Sequence, residues 1–402
     1  MNRWWQHESL VADETGLLLD QVPLVNLADQ YGTPLYVYSR ATIQRQIAQL
    51  QALLAQVSHC AMIYYAMKAN RHPAVLQAVR AMATVEAARW VGVGIDACSL
   101  REVDWALGHE FAVEDISFNA GMLATSELAQ LAARRVHCTL DSFSALRRYG
   151  ALVPRGTAVG LRFDPGVIAS YGHNPQTAYS QSKFGFEADE WEAALATATQ
   201  AGLVVDTLHI HIGWGLAEES ANLVGQAFAR LSSLARRIPG LQTINIGGGL
   251  GGRYQKTDQP LQLCTWQRLI EQHLTPLAVV IACEPGTYIA APAGVLIVEV
   301  NTVEKRRGIH WLGVDAGFAI GPCPALYNIP LAAVALERPL APCTQRYHVA
   351  GNMNESCDIW AKQQLLPEIQ EGERLALLPA GAYGASMASD HCLRGLVREV
   401  VV

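Results

Sequence analysis

Only five lysines occur in the 402 residues: Lys68, Lys183, Lys256, Lys305 and Lys362. Four stand among polar or mixed neighbours, as in YQKTD, VEKRR and WAKQQ. Lys68 instead closes the apolar run YYAMKAN. An amine held in a largely dry pocket has a lowered proton affinity, so it can act as a nucleophile and form an imine with an aldehyde. Taken alone, a lysine at a strand end is as readily a side chain that reaches solvent.

Three further features fall at comparable points in the chain. TINIGGGLGG (243–252) sets Gly247, Gly248 and Gly249 directly after an apolar run. Backbone N–H groups without a Cβ beside them can approach a phosphate closely, though a tight turn would read the same way. ACEPG (282–286) places Glu284 after another apolar run, either as a partner for a protonated ring nitrogen or as an ordinary capping acid. His211 in LHIHIG could lie flat against an aromatic ring or be structural. An imine-forming lysine, a glycine phosphate cradle and a carboxylate for a pyridinium are together the three handles of pyridoxal phosphate. A glutamate at the ring nitrogen favours reactions through a carbanion, decarboxylation above all. His209 and His211 are read as pointing to opposite sides of their strand, which leaves no metal site.

These residues need a frame that brings them to one rim. Apolar runs recur as AMIYYA, VGID, ISFN, VHCTL, AVGLRF, TLHIHI, TINI and VVIAC, separated by Ala- and Leu-rich stretches such as HPAVLQAVRAMA and SELAQLAARR. Eight strands alternating with helices predict a (β/α)8 TIM barrel, with an open doubly wound sheet as the other arrangement. Beyond residue 290 the texture changes. VLIVEVNTVEKRRGIHWLGVDAG has strand periodicity, 354–366 reads as helical, and RLALLPAGAYG and LVREVVV close the chain. The fold class is therefore α/β plus β. A segment 1–34 joins the β domain, a barrel spans 35–290, and a C-terminal mainly-β domain spans 291–402.

Half the residues are hydrophobic and 16% charged, which excludes a disordered chain. A net charge of −6 gives no basic surplus for nucleic acid or an anionic membrane surface. The start, MNRWWQHESL, lacks the apolar core of a signal peptide, and no apolar run reaches membrane-spanning length. Nine scattered cysteines without a CxxC pair predict reduced thiols, a cytoplasmic location and no structural zinc.

The motifs YAMKAN, GVGIDACSLREV, LRFDPGV, SKFGF, LHIHIG, NIGGGLGG, EPG, VDAGF, PALY, NES and GAYGASMAS follow one another along nearly the whole chain. In this order they resemble the fold-type III pyridoxal-phosphate decarboxylases, the diaminopimelate and ornithine decarboxylase superfamily, whose fold is an alanine-racemase-like barrel plus a β domain. The resemblance implies that Lys68 holds the cofactor as an imine, that His211 stacks on its ring and that Glu284 meets the pyridine nitrogen. Gly247, Gly248, Gly249 and Tyr383 would bind the phosphate, and Asp96, Glu102 and Arg162 would border the site. Tyr327 and Glu355 match substrate contacts. The 354–358 loop would reach into a partner's barrel, which implies a homodimer with shared sites.

Four positions depart from the family pattern. Thr287 stands where arginine usually follows EPG, Trp214 where serine usually follows HIG, and Cys323 where arginine precedes PALY. Asn354 replaces the cysteine that is taken to return a proton to the reacting carbon, so Cys357, or a water held by Asn354 and Glu355, would do so instead. The arginine missing at Cys323 contacts the far carboxylate of diaminopimelate in the family. The ending GAYGASMASDHCLRG resembles the siderophore-assembly branch, which acts on citrylated amino acids of the citryl-diaminopropionate type. His391 and Arg394 would then face citryl carboxylates, or else form a surface turn. The expected activity is decarboxylation of such a conjugate, with a free diamino acid (diaminopimelate, ornithine or lysine type) as the alternative. A pyridoxal-binding regulatory homologue without catalysis, and a racemase, are the readings of other kinds.

Overall fold

A computed structural model describes residues 3–83, 90–174 and 182–402. A small antiparallel sheet comes first, formed by β1 (Leu10–Asp13), β2 (Gly16–Leu19) and β3 (Val22–Pro23). Its Leu17 and Leu19 pack with Leu35, Val295, Ile297 and Val334 of the C-terminal sheet. The next strand, β4 (Leu35–Tyr38), is buried at every position, the pattern of a strand covered on both faces.

The barrel follows the helix Arg40–Val57, whose N-cap Ser39 accepts a hydrogen bond from the Thr42 N–H. Its strands are β5 (Cys60–Ala66), β6 (Trp90–Ala97), β7 (Ile116–Asn119), β8 (His137–Leu140), β9 (Thr157–Arg162), β10 (Leu203–His209), β11 (Thr243–Asn245) and β12 (Val280–Cys283). All run parallel, and β12 pairs with β5 to close the ring. Helices such as Pro73–Arg80, Leu100–Gly108 and Ala221–Ala235 lie between consecutive strands and bury one apolar stripe each. The expected strand TLHIHI is shorter in the structure. Its pairing with β11 stops at His209, because β11 itself ends before the glycine run, so His211 lies on the loop just above the rim.

The C-terminal sheet contains β13 (Gly294–Arg306), β14 (Ile309–Val314), β15 (Ala332–Ala335), β16 (Gln345–Ala350), β17 (Ile359–Leu366), β18 (Arg374–Leu378) and β19 (Arg398–Val401). The order is β15-β18-β13-β14-β16-β17, and β4 pairs with both β13 and β19. Two expectations change here. The barrel starts after β4 rather than at residue 35, because Leu35–Tyr38 is a ladder partner of Gly294–Ile297. The predicted helix over 354–366 is instead a loop over 354–358 followed by the strand β17, antiparallel to β16. Its Ala, Lys, Gln and Leu residues are good helix formers, but such propensities are small energies that ladder pairing outweighs. Among the described residues no helix is long and apolar enough to cross a membrane.

Candidate active site

The C-terminal ends of the barrel strands carry polar residues where apolar ones would pack more simply. Asp96 is the last residue but one of β6, Asn119 ends β7, Arg162 ends β9, His209 ends β10, Asn245 ends β11, and Glu284 follows β12. Of these Asp96, Arg162, His209, Asn245 and Glu284 are buried. Lys68 lies in the short turn Met67–Ala69 directly after β5. A cavity of about 310 Å³ opens at this rim, bounded by Lys68, Cys98, Asn119, Arg162, His211, Gly248, Gly249, Glu284 and Tyr383. It lies at the end of a barrel where reactive groups habitually sit.

Lys68 keeps 42% of its side chain open toward this cavity. Its Nζ donates to Asp96 Oδ2 and, at 3.3 Å, to Cys98 Sγ. Burial works against the ammonium, but the Asp96 carboxylate, with Cys98, Tyr383 and Glu284, outweighs it and holds the proton well above the ordinary lysine range. The lowered proton affinity expected of a dry pocket is thus reversed here, because Asp96 stands directly beside the amine. Burial pushes Asp96 up while Lys68 draws it back, so the pair carries a proton between its two members. Glu102 accepts a hydrogen bond from the Cys98 N–H at 2.7 Å and so fixes the turn that follows Asp96.

Glu284 is held from two sides. His209 Nε2 lies 2.9 Å from Oε2, and Asn245 Nδ2 donates to Oε1 at 2.7 Å. Burial opposes the charge, yet the hydrogen bond from His209 and the Lys68 ammonium outweigh it and bring this acid down to about 2. Burial also lowers His209, whose Nε2–H donates as a neutral imidazole while its Nδ1 has no partner among the described residues. Burial, with Arg162 and Lys68, keeps His211 well below the ordinary histidine value, hence neutral. His209 and His211 do not point to opposite sides as expected. Residues two apart share a face, and both imidazoles reach Glu284's neighbourhood.

The glycine run needs its missing side chains. A Cβ on Gly248 would stand 2.5 Å from the Glu284 carbonyl, and Gly247 has φ +65°. The Gly248 N–H donates to His211 Nδ1 at 3.1 Å, and the Gly247 N–H to Asn245 Oδ1 at 2.9 Å. Tyr383 is fixed by its backbone, since its N–H donates to Ala69 O at 2.8 Å and its carbonyl accepts from Cys323 Sγ at 3.3 Å. Trp214 and Thr287, the two unusual residues of the glycine side, line the same wall and touch each other.

The chain thus brings together Lys68, Asp96, Arg162, His211, Gly247, Gly248, Gly249, Glu284 and Tyr383. It does not bring Cys357, Asn354, Glu355, His391, Arg394 or the Tyr327 side chain into the lining of that cavity. Cys357 and Arg394 are exposed. Glu355 Oε1 and His391 Nε2 pair at 2.6 Å, and the His391 ring stacks on Phe318 at 5.8 Å. Tyr327 uses its carbonyl to accept from Asn174 Nδ2 at 2.6 Å. Sequence reasoning missed Asn119, Asn245, Cys98 and the role of His209. The signal was available for two of them, because Asn245 stands two residues before Gly247 and His209 two before His211, on a shared strand face.

The donor set fits pyridoxal phosphate: an accessible amine, a buried carboxylate held anionic, and a glycine wall without side chains beside Tyr383, where a phosphate can come close to the backbone. The family described as pyridoxal-dependent decarboxylase, pyridoxal binding domain, matches residues 40–291. The chain belongs to the pyridoxal-dependent decarboxylases of fold type III, and its cofactor is pyridoxal 5'-phosphate. It is 32% identical to the diaminopimelate decarboxylase of Methanothermobacter thermautotrophicus, over 98% of this chain and 92% of that one. It is 30% identical to the diaminopimelate decarboxylase of Escherichia coli strain K12, over 98% of this chain and 94% of that one. The crystal structure of Helicobacter pylori diaminopimelate decarboxylase with L-lysine, 24% identical, shares the fold with a TM-score of 0.84 over 94% of each chain. These relatives do not support the siderophore branch that the GAYGASMASDHCLRG ending suggests.

Proposed function

We propose that the protein decarboxylates a free diamino acid at its α-carbon. The observation that carries this reading is the buried, anionic Glu284, held by His209 and Asn245 in the same cavity as Lys68. Pyridoxal phosphate, when bound, supplies the electron sink for the bond to the departing carboxyl group. Lys68 is the amine that holds the cofactor's aldehyde, and Asp96 is placed to take the proton its ammonium must lose. Glu284 favours positive charge at a ring nitrogen, and neutral His211 offers a flat face without adding charge. Buried walls limit water around the reacting bond.

The far end of the substrate follows from Cys323. Burial pushes its thiol up to about 12, and its hydrogen goes to the Tyr383 carbonyl, so a neutral group stands where a cation would meet a second carboxylate. This favours a diamino acid without a distal carboxylate, of the ornithine or lysine type, over diaminopimelate. A citrylated diamino acid is the second reading, favoured by exposed Arg394 on the segment that also carries Tyr383. The 354–358 loop lies away from its own chain's cavity, which supports a homodimer in which each loop serves the partner's site, with Cys357, Asn354 and Glu355 near the returning proton. The test is CO2 release from lysine, ornithine, diaminopimelate and citryl-diaminopropionate by the pure holoenzyme. Faster release from a free diamino acid is expected, and faster release from the citrylated compound would overturn the assignment.

A further inference from the structure

We propose that the Thr287 hydroxyl is a phosphate-binding donor of the cofactor site and that Trp214 is the residue that positions it. The inference rests on the pyridoxal-phosphate reading and extends it to two residues that depart from the family pattern. Trp214 Nε1–H donates to Thr287 Oγ1 at 2.7 Å. An indole nitrogen can only donate, so the hydroxyl accepts there and keeps its own hydrogen for another acceptor. Among the described residues no group takes that hydrogen. Thr287 is 4% exposed and lines the cavity. A buried hydroxyl with an unused donor is costly unless a ligand supplies the acceptor.

The surroundings define the ligand's chemistry. Gly286 precedes Thr287, and a Cβ there would stand 3.2 Å from the Tyr383 hydroxyl. A Cβ on Gly249 would stand 2.7 Å from the carbonyl of Gly213, the residue before Trp214. Gly249, Trp214, Thr287, Gly286 and Tyr383 therefore form one continuous wall, which carries the Thr287 and Tyr383 hydroxyls and no carboxylate. Such a wall suits an acceptor-rich oxyanion. Trp214 cannot swing freely away from it. Its ring packs against Tyr171 at 5.6 Å and against buried Tyr254 at 5.5 Å, and its carbonyl accepts from the Tyr171 N–H at 2.9 Å.

The experiment titrates cofactor-free protein with pyridoxal phosphate and with pyridoxal, which lacks the phosphate, and reads the absorbance of the bound aldehyde. Thr287→Val should weaken pyridoxal phosphate roughly tenfold or more and leave pyridoxal unchanged. Thr287→Ser, which keeps the hydroxyl, should bind both like the parent. Trp214→Phe, which keeps a ring but no donor, should weaken pyridoxal phosphate several-fold and spare pyridoxal. Unchanged pyridoxal affinity also reports that each variant is folded. Equal losses for both aldehydes, or no loss for either, would overturn the proposal. Normal titrations without CO2 release from any amino acid would defeat the decarboxylase reading instead, and leave the phosphate assignment standing.

Discussion

His209 Nε2 stands 2.9 Å from Glu284 Oε2, and neither side chain is more than 5% exposed. An acid placed there without its imidazole and amide donors would take up a proton and lose the charge proposed to act on a ring nitrogen. Removing the carboxylate while leaving its shape should therefore separate chemistry from binding. Glu284→Gln is expected to lower turnover by on the order of 10²–10⁴ while cofactor occupancy stays near that of the parent. Rates of CO2 release set against the absorbance of bound cofactor check this. Loss of occupancy with turnover per bound cofactor intact would make Glu284 a binding residue only.

The same groups set the pH dependence of the cofactor-free protein. Burial opposes the Glu284 charge, but the His209 hydrogen bond and the Lys68 ammonium bring it down to about 2 from an ordinary 4.5. The unfolded chain then binds more protons than the folded one between these values. The stability due to Glu284 is complete above about 4.5 and is lost as pH falls toward about 2. His211 is lowered by burial first and by Arg162 and Lys68 next, so its contribution is complete above 6.5 and declines as pH falls below it. Denaturant melts across this range should show both declines, with His211→Gln flattening the upper one and Glu284→Gln the lower one.

Lys68 is the expected point of attachment. Borohydride reduction of the holoenzyme and peptide mapping should label residue 68, and Lys68→Ala should abolish both labelling and turnover. Label at another lysine would contradict the assignment.

Shared sites can be tested by mixing inactive variants. In a homodimer with composite sites, Lys68→Ala and Glu355→Ala subunits mixed at equal amounts and allowed to exchange should recover about a quarter of parental activity, because half the dimers are mixed and each mixed dimer has one intact site. Activity that stays at the level of the separate variants would place Glu355 outside the partner's site.

The glycine cradle gives a steric prediction. Gly248→Ala puts a methyl group 2.5 Å from the Glu284 carbonyl, so the loop must shift and pyridoxal-phosphate affinity should fall roughly tenfold or more. Gly308→Ala, at φ +80° with open space around its Cβ position, should lower stability by about 1 kcal/mol and leave that affinity alone. Titrations and melts of both variants distinguish the two effects.

The barrel was readable because each strand is a short apolar run and each crossover an Ala- and Leu-rich helix. Lys68 and Glu284 stood out because each ends such a run with a charge. Asn245 escaped notice since an amide inside TINIGGG carries no charge, and its value lies in reaching two groups that only the barrel brings near. β17 escaped because IWAKQQLL has helix-compatible composition, and its pairing with β16 across the 351–358 loop leaves no mark in that composition. Position 363, with φ 53°, further breaks the alternation that would have marked a strand. The Trp214–Thr287 contact joins residues 73 apart in sequence, so each looked like an isolated departure until the fold paired them.

The pairing of β5 with β12 joins the first barrel strand to the last, and Lys68 and Glu284 emerge on either side of that seam. Every intervening strand and helix must be in place before the amine and the acid share a cavity. An incompletely zipped ring has no pocket to offer, so capture of the aldehyde is itself a readout of completed assembly. By mass action the captured cofactor then stabilises the closed ring.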